Sequence, residues 1–159
     1  MQEKNLELNK QLAKHMRDVF FGGNWTSVNL KETTSDIDWK DATKKTDQFN
    51  TIATLVFHIG YYIKAVLKVL QGGPLDAHDK YSFDLPEIKN EEEWKKLVET
   101  TLANAEELAK EIERLNDQQF SSDLADPKYG SKHRNIMGLI EHTHYHLGQI
   151  ALLKKLVQA

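Results

Sequence analysis

Apolar residues along this chain recur mostly at helical spacing. Over residues 2–21, Leu6, Leu8, Leu12, Ala13, Met16, Val19 and Phe20 fall close to a 3.6-residue period. Gly22 and Gly23 then provide a helix stop. Residues 24–48 mix Thr, Ser, Asp and Lys with Trp25, Val28, Leu30, Ile37 and Trp39, which predicts one or two short linking helices. Residues 49–70 are apolar around most of a helix circumference, predicting a buried helix that ends at Gly72, Gly73 and Pro74. Turn-forming residues crowd residues 72–90, a long connection of the kind that often carries function. Asn90 then reads as the N-cap of a helix over residues 91–115, with Glu91, Glu92 and Glu93 at the positive end of its dipole. Its buried stripe runs through Trp94, Leu97, Val98, Leu102, Ala105, Leu108, Ala109, Ile112 and Leu115. A loop over residues 116–130 leads to a last helix over residues 131–157.

Four long helical segments, no convincing alternating strand and no internal repeat predict an all-α chain folded as an antiparallel four-helix bundle. At 159 residues the whole chain, 1–159, is expected to form one domain around one core.

Composition narrows the chemistry. There is no Cys, so disulfides, thiolate metal sites and a cysteine nucleophile are excluded, and any metal must be held by His, Asp or Glu. The formal charge of −3 and the lack of a basic run argue against nucleic acid as a partner. The N-terminal residues lack the apolar stretch of a signal peptide, and no uncharged apolar run has the length of a membrane span. These features lead to the expectation of a cytoplasmic protein without a membrane partner.

The seven histidines supply the candidate chemistry. His142 and His146 are four residues apart, within about 40° on a helical wheel, whereas His144 is turned about 200° from His142. Leu139, Thr143, Ile150, Leu153 and Val157 share the side of His146, so the pair is expected to face the core. Glu141, Arg134 and Lys155 mark the opposite side as the solvent face, where His144 is expected to be exposed and dispensable. In the apolar helix, His58 lies at the edge of the stripe formed by Leu55, Ile59, Tyr62, Val66 and Val69, giving a third inward imidazole. A lone core histidine usually makes one hydrogen bond and nothing more. Three in one small core are harder to account for as packing, because each unpaired buried polar group costs about 1–3 kcal/mol. A three-imidazole set with an open position suits a catalytic divalent metal. The Glu141-x-x-His144 element is also found in di-iron carboxylate bundles, but residues 49–70 contain no Glu, and Glu141 and His144 point away from the apolar stripe.

Two segments carry a resemblance: His58-Ile59-Gly60-Tyr61-Tyr62, and His142-Thr143-His144-Tyr145-His146-Leu147-Gly148-Gln149-Ile150. Together, with the Gly22-Gly23-Asn24-Trp25 segment, they resemble the DinB-like superfamily over essentially the whole chain. That resemblance implies a bundle of the DinB-like type, with one metal held by His58, His142 and His146 and zinc or nickel as the usual ion. It also implies a low-molecular-weight thiol (bacillithiol, mycothiol or glutathione) as a substrate class, thiol transfer or a related metal-activated reaction, and a homodimer. The alternatives are a non-catalytic metal or small-ligand binding bundle, and a purely structural or partner-binding bundle.

Around the expected metal site, Gln149 and Tyr62 each lie about one turn beyond a histidine and are the candidates for catalytic contact. Each can equally be a buried packing residue. Asn24 and Trp25 are candidates for the mouth of a cofactor or substrate pocket, with a core-plugging role for Trp25 as the alternative. Trp39, Trp94 and Tyr145 are expected to pack.

Overall fold

The computed structural model describes residues 7–159, so the expected first turns over residues 2–6 lie outside the described residues. Seven α-helices follow in order: α1 (Leu8–Phe21), α2 (Leu30–Thr34), α3 (Trp39–Thr43), α4 (Ile52–Leu70), α5 (Glu91–Glu113), α6 (Asp117–Ser121) and α7 (Lys132–Val157). Among the described residues the only β-type pairing is an isolated bridge between Asp123 and Ser131. The described chain is thus all-helical.

The helix starts are set by side chains that satisfy amide groups the first turn leaves free. Thr51 accepts from the Thr54 amide, so α4 begins at Ile52 and not at the expected Phe49, which is left exposed. Asn90 caps α5 through the Glu93 amide, and Ser131 caps α7 through the Arg134 amide. The loop over residues 116–130 contains a helix the periodicity did not signal, α6, whose Asn116 and Gln119 form a capping box.

The four long helices pack around one core in the cyclic order α1, α5, α4, α7. Met16 and Phe20 of α1, Ile59 and Ile63 of α4, Leu108 and Ile112 of α5, and Leu147 and Ile150 of α7 fill its centre. Trp94 plugs one end, buried and donating from Nε1 to the Ile37 carbonyl at 2.7 Å, while Trp39 is partly buried against the core. On the outer edge of the α1–α5 seam, Arg17 is clamped by Glu106 and Glu113. Those hydrogen bonds raise the Arg17 pKa and lower that of Glu113. Among the described residues α4 alone has the length and hydropathy of a membrane span, and nine of its apolar residues are buried inside the protein.

Trp25 does not plug the core. It is fully exposed, on a tight turn in which Asn24 is bonded to the Asp18 and Val28 carbonyls. Ser27, with φ 54°, completes that turn, and the geometry turns the indole outward. Tyr145 likewise departs from a core-packing role: it is 65% exposed and lines a surface cleft, its ring edge-on to His146 at 4.9 Å.

Candidate metal centre and cleft

His58 projects from the middle of α4, and His142 and His146 project from successive turns of α7. One ligand atom from each can be chosen so that all three lie within 4.8 Å of one another. His58 and His146 are only 5% and 8% exposed, and His142 is half-buried.

The outer nitrogens determine which inner ones are free. His58 Nδ1 faces the Ser82 carbonyl at 3.2 Å, and since a carbonyl only accepts, the proton must sit on Nδ1 and the lone pair on Nε2. His146 Nδ1 faces Gln149 Oε1 at 2.7 Å, which by the same reasoning frees His146 Nε2. Such partners are those that metal-ligating histidines use to fix ring orientation. His142 Nε2 lies 3.0 Å from His58 Nε2, and its Nδ1 is buried with no hydrogen-bond partner.

The residues fit a divalent metal. Two imidazole nitrogens on a tetrahedral zinc stand roughly 3.3 Å apart, close to the His58–His142 spacing. Two of the three rings already have their outer proton anchored. Burial, followed by the influence of His146, lowers the His58 pKa. His142 is pushed down to about 4 by burial and then by His146 and His58. Both rings are therefore neutral at physiological pH, the form a metal needs.

The connection over residues 72–90 closes one side of this site, although its sequence signalled only turns. Besides the Ser82 carbonyl it supplies Phe83, whose ring stacks on His58 at 3.9 Å and 11°. It also supplies Asp79, which accepts a short hydrogen bond from the Tyr62 hydroxyl. Tyr62 packs edge-on against both His58 and His142. Its phenol pKa is raised by burial and then by Asp79, so the hydroxyl stays protonated.

Of the candidates from sequence, Gln149 and Tyr62 are thus brought to the histidines. Asn24 and Trp25 are not: neither lines the cleft, because their turn is held to the end of α1. His144 is not simply exposed. It is half-buried, with a pKa lowered by burial and by His15 of α1, and it is not part of the three-histidine cluster.

The histidines lie along a cleft of about 1540 Å³. Its wall continues along α7 through Leu139, Gly138 and Met137 to Arg134 and His133, and Lys128 and Tyr129 line it as well. Arg134 and Glu141, expected to mark only the solvent face, are exposed but also line this cleft, because its mouth reaches around the flank of the helix.

A helical fold with three convergent imidazoles, two buried and one half-buried, at an open cleft belongs to the class of helical proteins with a potential metal centre. More specifically, the model of the DinB family matches residues 1–157, and the chain belongs to that family. No curated protein and no solved structure matches the chain significantly.

Proposed function

We propose that this chain is a divalent-metal-dependent enzyme in which His58, His142 and His146 hold zinc or nickel and the adjoining cleft admits a low-molecular-weight thiol. The observation that carries this reading is the convergence of three imidazoles at the cleft wall, two with their outer nitrogens already anchored. When bound, a divalent ion would supply Lewis acidity that lowers the pKa of a thiol or water ligand towards neutrality. The chain's own residues account for the rest. Ser82 and Gln149 hold two rings in register. Phe83 and Tyr62 shield the imidazoles from water, and the protonated Tyr62 hydroxyl is placed by Asp79 at the edge of the site.

The reaction class is attack of a thiolate sulfur on an electrophilic carbon: a carbon–sulfur bond forms, the leaving group departs with its electron pair, and the thiol proton passes to solvent. The same reading takes the four long helices as an antiparallel bundle and the protein as a cytoplasmic homodimer. One observation favours a non-catalytic metal or small-ligand binding protein instead. The Tyr62 hydroxyl and the Gln149 carbonyl are already committed to protein partners, which removes both catalytic candidates from proton transfer.

The test is to load untagged protein with zinc or nickel and incubate it with bacillithiol, mycothiol or glutathione and an electrophilic acceptor, following the thioether product by mass spectrometry. Metal-dependent product formation is expected. A fully loaded protein that forms no adduct above the uncatalysed rate with any of these thiols would favour the binding reading.

A further inference from the structure

Charged side chains line both ends of the cleft. At the histidine end the acidic groups are Asp79, which holds Tyr62, and Glu141. At the far end stand Arg134, Lys128 and His133. Lys80 also lines the cleft, with its ammonium over the Tyr81 ring. Lys128 has only a loose, exposed contact with Asp126 at 3.8 Å and lies over the Tyr129 ring. The Arg134 side chain has no ion-pair partner among the described residues, although Arg17 and Arg114 are both paired.

Between the two ends runs a trough. Arg134, Gly138 and His142 follow one another at intervals of four, forming a single slanted row on α7. A β-carbon on Gly138 would meet nothing within 4 Å, so no close packing requires glycine there. Mid-helix glycine costs about 0.5–1 kcal/mol relative to Ala, and what its bare backbone leaves is an open floor between the cation and the imidazoles. Met137, Leu139 and Leu124 make that stretch apolar.

We propose that the cleft binds an elongated carboxylate-bearing molecule, its carboxylate on Arg134, its apolar body over Gly138 and its reacting group at the three histidines. The inference rests on the metal-centre reading and extends it to substrate class. Arg134 and His142 are eight residues apart, about 12 Å along the helix axis, which sets the length of molecule that reaches both. A carboxylate fits better than a phosphate ester, because the Lys132 and Arg134 amides at the start of α7 are already used. Lys132 N donates to the Ser122 carbonyl and Arg134 N to Ser131 Oγ, so the anion meets side chains, and a planar carboxylate matches the fork of one guanidinium.

The test uses zinc-loaded protein, its metal content measured first, and calorimetric titration with 8-mercaptooctanoate, the uncharged 8-mercaptooctanol and the short 3-mercaptopropionate. The long acid should bind about fivefold more tightly than the long alcohol, the worth of one partly exposed ion pair. Arg134→Ala should remove that preference, and Arg134→Lys should restore part of it. Arg134→Ala should leave 3-mercaptopropionate affinity unchanged. Gly138→Leu should weaken the long probes while sparing the short one, and Gly138→Ala should melt no lower than wild type. Equal affinity for long acid and alcohol in a protein that holds zinc and binds thiols overturns this inference alone. Failure to hold zinc overturns it together with the metal-centre reading.

Discussion

Helix α4 meets its two long neighbours in opposite ways. Towards α5 it presents Gly60, where an added β-carbon would lie 2.7 Å from Thr101 Oγ1. That hydroxyl is tied to the Leu97 carbonyl at 2.9 Å and belongs to a buried residue, so it cannot readily move aside. Towards α7 it presents His58, and the helices meet there through imidazoles beside an open cleft. Residues 58 and 60 are about 200° apart on the helical wheel, so two positions separate a tight, shape-dependent seam from a polar one. On the first side the core tolerates no added atom. On the second it keeps buried nitrogens that packing alone does not explain.

This contrast can be broken from either side, and the largest stability effect is expected at the tight seam. Gly60→Leu should destabilise the fold by roughly 1–3 kcal/mol through overpacking, seen as a lower midpoint in urea unfolding. A variant as stable as wild type would mean that α4 and α5 are not so close. On the polar side, Gln149→Ala removes the partner of His146 Nδ1 and should weaken metal affinity about tenfold, measured by competition with a chelator, with little change in unfolding midpoint of the metal-free protein.

A smaller effect concerns pH. In the metal-free fold the His58 and His142 pKa values are lowered, the latter to about 4, whereas the unfolded chain titrates near the ordinary value of about 6.5. Between those values the unfolded chain binds more protons, so their neutral burial is compatible with the fold above about 6.5, and stability is lost as pH falls towards 4. The melting temperature of metal-free protein should therefore fall over that range, and His142→Ala should flatten part of the decline. A flat profile in wild type would contradict the burial of these rings. The smallest effect is expected for His144→Ala. It should leave metal content unchanged and alter stability by no more than about 0.5 kcal/mol, despite its place between two candidate ligands.

What was legible in the sequence follows the same division. The inward phase of His58, His142 and His146 could be read because each sits on a long helix whose apolar stripe defines a face. The all-helical character was readable for the same reason. Ser82, Phe83 and Asp79 were not, since they come from the connection over residues 72–90, where periodicity carries no information about what the backbone lies against. Trp25 was misjudged because residue type suggested burial while Asn24 and the positive φ of Ser27 turn it outward. The phase of His144 correctly kept it out of the histidine cluster, but phase relative to its own stripe cannot reveal that its ring is half-buried and that His15 of α1 disfavours its charge.

The central claim is that the polar seam is a metal centre, and the most direct measurement is metal content. Protein produced without a polyhistidine tag would be stripped, reloaded with zinc or nickel, dialysed and analysed by plasma mass spectrometry beside His146→Ala and the variant with His58, His142 and His146 all changed to Ala. The account predicts about one equivalent in wild type and loss of tight binding in both variants, with their helical circular dichroism retained. Far less than one equivalent in wild type, or equal retention by the triple variant, would contradict it.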